Sequence, residues 1–330
     1  MHVYRKRGHC IENNKIACIE KCSIYNGEIG MPIQEHKFSD LAEFWQFISP
    51  DGDLIQRMGM TARPIFRGQG NASWPLAPSA LRQTAIDQYK RSIYRQTDHV
   101  MFFEYELLSA YAHYCDEMGL AIPGDSHEFR QKSEFFTFAE EFGSNANEWP
   151  TEVFYPLLAS AQHHGVPTRL LDWTRSSFVA AYFAGIQALD LMERCGFLTD
   201  DIVVWCVDAR KVHLTRHETT NAITEVHHLG LPGITSKNLA AQKGCFLLVK
   251  WIVGQSRDAD FDMGPTIDEI LRVNADVTLH KVVLSHQHVG NLIFKCKDYG
   301  FSAATLFPGY DGAGKAAKEF KLAKRHSGKL

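Results

Sequence analysis

The chain has 330 residues, with 35 Lys and Arg against 38 Asp and Glu, 45% hydrophobic residues and 22% charged ones. That length and composition exclude a small isolated motif and a disordered tail, and point to about two domains or one large domain with an appendage. A net charge of −3 excludes coating of DNA or anionic membrane by the whole surface, which runs on excess positive charge, and leaves room for a local basic cleft.

In chain order, Lys15–Ile19 and Cys22–Tyr25 lean toward strand, and Asn26-Gly27 supplies a tight turn, so an N-terminal hairpin is expected. Ser39 reads as an N-cap for a short helix with Leu41, Phe44, Trp45 and Ile48 on one face, stopped at Pro50-Asp51-Gly52. These pieces make an appendage over 1–60. An apolar strand follows at Pro64-Ile65-Phe66. Aromatic and aliphatic residues then recur every three or four positions over Thr97–Met118 and Ser126–Phe142, with Gly119 and Gly143 as stops. Pro156–His164 and Ser176–Met192 read as two further helices, the second with Phe178, Ala181, Tyr182 and Ala184 on its apolar face. The second half turns to short strands at Ile202–Val207, Cys245–Trp251 and Lys281–Leu284, with helical stretches near Ile267–Val273 and Ala313–Lys324. Strands and helices without a βα rhythm predict an α+β fold with a helical middle region.

No run approaches the roughly 18 apolar residues of a membrane span, and the N-terminus lacks the apolar core of a secretory signal, so a cytoplasmic protein without a membrane partner is expected. Of eight cysteines, Cys206 and Cys245 fall in apolar runs and read as reduced core thiols. Cys18 and Cys22 have no second pair to complete a tetrahedron, and the histidines show no HExxH spacing, so no metal site is expected.

Four stretches carry candidate chemistry. In Phe66-Arg67-Gly68-Gln69, followed by Trp74, Pro75, Pro78, Ser79 and Arg82, an arginine stands beside an unshielded glycine backbone. A flat polar or phosphate-bearing ligand fits such a clamp; the plainer reading pairs Arg67 with a core carboxylate and uses Gly68 to turn the chain. Gln162-His163-His164-Gly165-Val166-Pro167-Thr168-Arg169-Leu170-Leu171-Asp172-Trp173-Thr174 packs polar side chains into what reads as a turn between two apolar helices. Capping of the next helix by Asp172 or Thr174, and an Arg169–Asp172 ion pair, are the structural alternatives. Gln242 precedes Cys245-Phe246 at a strand start, and Asp311, in Leu306-Phe307-Pro308-Gly309-Tyr310-Asp311-Gly312, reads most simply as a helix cap. The first two stretches are expected to meet in one cleft, because each is a polar set embedded in apolar elements.

Taken together and in this order, the four stretches resemble the FRG-domain family, named for the tripeptide that here is Phe66-Arg67-Gly68, with the likeness running from about Pro64 to about Ala317. It implies an FRG-type domain over 61–330 with a helical insertion at about 85–150. The family has been likened to the ADP-ribosyltransferase superfamily, whose small, split and bent sheet holds NAD in a cleft. The likeness therefore implies NAD as substrate and either a macromolecular acceptor, protein or nucleic acid, or hydrolysis; a non-catalytic nucleotide or nucleic-acid binding module is the alternative. It implies catalytic roles for Arg67, Gln242, Asp172 and His164, and ligand contacts from Arg67, Gly68, Gln69, Gln162, His163, Thr168, Arg169, Trp173 and Phe246. Where that superfamily carries a catalytic carboxylate this chain has the neutral Gln242, so either its amide or a carboxylate from Asp172 or Asp311 is expected to take the role.

Overall fold

Residues 33–82, 84–85, 98–143, 148–196, 200–212, 215–218, 222–231, 237–253 and 266–328 are described by a computed structural model; the expected N-terminal hairpin lies outside them. The strands are β1 (Gln34–Phe38), β2 (Pro64–Gln69), β3 (Leu170–Thr174), β4 (Ile202–Asp208), β5 (Thr215–Glu218), β6 (Ala222–Leu229), β7 (Gly244–Val253) and β8 (His280–Leu284). The helices are α1 (Leu41–Ile48), α2 (Asp53–Met58), α3 (Asp98–Glu117), α4 (His127–Ser133), α5 (Phe135–Gly143), α6 (Tyr155–His163), α7 (Ser177–Cys195), α8 (Ala209–Val212), α9 (Lys237–Ala241), α10 (Ile267–Arg272), α11 (Val289–Asp298), α12 (Ala303–Leu306) and α13 (Tyr310–Arg325). The class is α+β, as the sequence predicts.

Among the described residues the strands join one sheet in the order β1-β8-β4-β2-β3-β7-β6-β5, with β1 and β8 parallel and the other neighbours antiparallel. Pairing along it is uneven. β2 is tied to β4 by register from Pro64↔Asp208 to Gln69↔Val203, and β3 to β7 from Leu170↔Leu248 to Thr174↔Gly244. Between β2 and β3 a single pair, Phe66↔Thr174, holds the sheet together. Beyond that pair the strands part, leaving a mixed half (β1, β8, β4, β2) and an antiparallel half (β3, β7, β6, β5).

Side-chain alternation explains what covers each half. On one face, Phe66, Val204, Cys206, Val282 and Leu284 of the mixed half pack against α1, α7, α11 and α13, with β1 and α1 built into this core. The same face of the antiparallel half, through Leu170, Phe246 and Leu248, carries a separate layer of α3 to α6 residues such as Leu108, Phe138, Phe142 and Leu158. The opposite face buries Ile65, Trp205, Leu171, Trp173 and Leu247 under α10 and Leu76. The two helical layers thus part along the same line at which β2 and β3 separate.

Several local expectations change. Leu170–Thr174 is a strand rather than part of a turn, because its pairing partner, β7, lies some 70 residues downstream and no local pattern announces it. Asp40, not Ser39, caps α1 by accepting from Ala42 and Glu43, and Ser176, not Asp172 or Thr174, caps α7. The predicted Ser126–Phe142 helix breaks at Glu134, whose backbone is extended. Asp311 sits in the first turn of α13 while Gly309 holds the cap position, at a φ of 128°. β1, β5 and β6 are short or polar-rich and have no counterpart among the predicted strands.

Candidate functional site

The opening between β2 and β3 has two closed ends. Phe66 and Thr174 pair at one; at the other, the chain that leaves β2 returns to the start of β3, where the Ala80 amide donates to the Thr168 carbonyl at 3.0 Å and the Thr168 amide to Ser79 Oγ at 3.1 Å. Arg67 lies between them. Its guanidinium Nη1 donates across the opening to the Asp172 carbonyl at 2.7 Å, so the first and second candidate stretches do meet. The buried Nε of Arg67 has no hydrogen-bond partner among the described residues, and neither has the buried indole Nε1 of Trp173. Strand alternation puts the side chains of Arg67, on β2, and Trp173, on β3, on the face opposite Phe66 and Thr174. Two buried donors without acceptors thus sit on the two strands that flank the opening, a costly arrangement that a ligand acceptor would relieve.

Charge is concentrated there. Burial draws the Arg67 guanidinium down to about 10; the Asp172 carboxylate opposes this and Arg82 adds to it. Arg82, which donates through Nε to the Ala77 carbonyl at 3.0 Å, is likewise lowered by burial with Asp172 opposing. The carboxylate of Asp172 is exposed on the face where the helical layers separate. His163, half-buried at the end of α6, bonds the side chain of Asn238 in α9; burial, His164 and Lys315 lower its pKa while Asp172 raises it. Gln242 closes this side: its side-chain Nε2 donates to the Leu306 carbonyl at 3.2 Å, and its backbone carbonyl accepts from Thr174 Oγ1 at 2.7 Å.

Other predicted site residues hold the frame. Gly68 is not open to a ligand: a Cβ there would stand 1.9 Å from the Ala180 carbonyl oxygen, because α7 lies directly on β2. Gln69 is buried, accepting from Trp205 Nε1 at 2.6 Å and donating to the Pro75 carbonyl at 3.2 Å. Gln162 accepts from the Thr168 hydroxyl, and Thr168 is fully buried. Arg169 does not pair with Asp172. It is 3% exposed and bound to Glu104 of α3, its amide donating to Oε1 at 2.8 Å and its guanidinium to Oε2 at 2.5 Å. Phe246 is core beneath the helical layer, and His164 is exposed with its ring 6.3 Å from that of Tyr111. Arg82, Asn238 and Lys315 join the opening without having been singled out as ligand contacts. Only Arg82 stood near a motif; Lys315 belongs to an amphipathic helix that reads as solvent-facing.

Among the described residues no three His, Cys, Asp or Glu side chains gather closely enough to hold a metal ion, and no helix is long and apolar enough to cross a membrane. Burial pushes the Cys245 thiol up to about 12, which marks it as a core group rather than a nucleophile. The family model of the FRG domain matches residues 62–191. That stretch contains both strands bordering the opening, the helices α3 to α6 and most of α7; Gln242 and the segment before α13 lie beyond it. No curated protein and no solved structure matches the chain.

Proposed function

From an FRG domain at residues 62–191 and the divided sheet it builds, we propose that this protein binds NAD between β2 and β3 and cleaves the nicotinamide–ribose bond, passing ADP-ribose to a macromolecular acceptor or to water. The observation that carries the reading is the pair of unpartnered buried donors, Arg67 Nε and Trp173 Nε1, on the two strands that flank the opening. A planar carboxamide or a phosphate offers the acceptor oxygens those donors lack. NAD supplies a leaving group that departs neutral, so the chain's own task is to orient the ribose, hold negative charge beside it and take up a proton from the nucleophile. We assign both tasks to Asp172, whose exposed carboxylate, on the opposite face of β3 from Trp173, acts electrostatically on Arg67, Arg82 and His163. Gln242 is assigned to holding α12 and the start of β7, since its side-chain Nε2 donates to the Leu306 carbonyl and its backbone carbonyl accepts from Thr174.

A specific observation favours the second reading, a nucleotide-binding module without catalysis: the residue at the strand start is neutral and its donor is committed to Leu306. Release of free nicotinamide from NAD separates the two. Turnover by the wild-type protein, lowered about 10² to 10³-fold in Arg67→Ala and in Asp172→Asn, supports catalysis. Binding of NAD with no nicotinamide released supports the module.

A further inference from the structure

The chain carries a net charge of −3, yet α13 sets Lys315, Lys318, Lys321, Lys324 and Arg325 against only Asp311 and Glu319. Glu319 does not offset them at the surface, because it turns inward and accepts the Tyr182 hydroxyl at 2.8 and 2.9 Å. With Gly312 and Ala323 buried on one side, the 100° step of the helix puts Tyr310, Lys318, Lys321 and Arg325 on the side away from the core. Arg325 pairs with Glu193 at 2.9 Å, whereas Lys318, Lys321 and Lys324 are exposed and form no ion pair with a described residue. Aromatic rings alternate with these charges. Tyr310 is 98% exposed, and Phe320 is 47% exposed with the Lys297 ammonium 5.0 Å from its ring centre. Lys315 stands 4.2 Å over the Phe307 ring at the end of the helix nearest the opening, close enough to act on His163.

Exposed rings interleaved with lysines are the chemistry of single-stranded nucleic acid, where bases stack and phosphates meet ammonium groups. An acidic protein surface gives no reason for a nearly fully exposed tyrosine beside the lysines, and the acidic remainder of the molecule confines a polyanion to this strip. We propose that the outward face of α13 binds single-stranded nucleic acid and presents it past Lys315 to the opening between β2 and β3 as the acceptor of ADP-ribose. The acceptor role rests on the NAD-cleaving reading above. In that step a nitrogen or oxygen of the strand bonds to ribose C1′ as the C1′–nicotinamide bond breaks; the bonding pair leaves with neutral nicotinamide, and the nucleophile's proton passes to Asp172 and then to water.

The test is binding of a labelled oligothymidine across a salt series, without NAD, followed by transfer from labelled NAD to the same strand. With about four phosphate contacts the slope of log K against log salt is about −3, since each contact contributes about −0.7 on a single strand. Lys318→Glu with Lys321→Glu lowers affinity at least tenfold and brings the slope to about −1.5. Tyr310→Ala weakens oligothymidine about tenfold without changing the slope and leaves binding of heparin, a polyanion without bases, unaltered. All three substitutions leave nicotinamide release from NAD alone at the wild-type rate, so a failure of the surface is distinguishable from a failure of the catalytic reading. Absence of binding, indifference to the lysine changes, equal sensitivity of heparin and oligothymidine to Tyr310→Ala, or binding without transfer overturns the proposal.

Discussion

Replacing Gly68 by alanine tests the claim that this glycine serves packing rather than ligand access. The added Cβ would lie 1.9 Å from the Ala180 carbonyl oxygen and 2.7 Å from the Ala184 amide nitrogen, both backbone atoms of α7 with no rotamer to change. Ordinary contact requires the helix to retreat by about 1.5 Å, and α7 is held from its far side by α11 and α13 in the same core. Forcing an extra carbon into such a core costs about 1–3 kcal/mol. In a chain of this size that lowers the thermal midpoint by roughly 1–4 °C. Urea unfolding and a thermal scan of Gly68→Ala beside wild type measure it. An unchanged midpoint with loss of NAD binding alone would refute the packing argument and return Gly68 to the ligand.

Glu104→Ala leaves the Arg169 guanidinium buried without its carboxylate, and the predicted loss in urea unfolding is about 3–5 kcal/mol, with much of it recovered in Glu104→Met with Arg169→Met. Gln242→Glu sets a carboxylate oxygen against the Leu306 carbonyl in place of a donor, so stability falls by about 1–3 kcal/mol and NAD hydrolysis does not rise, as nicotinamide assays on the folded variant check. His280, 4% exposed and 3.3 Å from the His36 ring, is held at about 4 by burial, with His36 and Arg57 adding to the effect. Because its folded pKa lies below the unfolded value, its contribution is complete above about pH 6.5 and is lost as the pH falls toward 4. The loss is about 2–3 kcal/mol, and thermal midpoints at neutral and acid pH converge in His280→Gln.

Strong local patterns made much of the architecture legible. The apolar run Ile202–Val207 announced a strand buried on both faces, and the amphipathic spacing after Ser176 announced α7. The Phe-Arg-Gly tripeptide marked β2 and the arginine that crosses the opening, although the role of the glycine depends on Ala180 and Ala184, more than a hundred residues away. Non-local pairing hid the rest. Leu170–Thr174 is too short to show its period and becomes a strand only beside β7. Arg169 looked like an anion ligand because Glu104, the carboxylate that occupies it, lies 65 residues upstream on another element. Burial sorts the polar residues of the second stretch: Thr168 and Arg169 point into packed layers, while Asp172 and His163 remain at the opening.

The most direct test of the catalytic reading is release of free nicotinamide from NAD by wild-type protein and by Arg67→Ala, each verified as folded. Turnover by the wild type, reduced about 10² to 10³-fold in the variant with the thermal midpoint preserved, is the predicted result. Wild-type protein that binds NAD and never releases nicotinamide, or an Arg67→Ala variant that turns over at the wild-type rate, would contradict it.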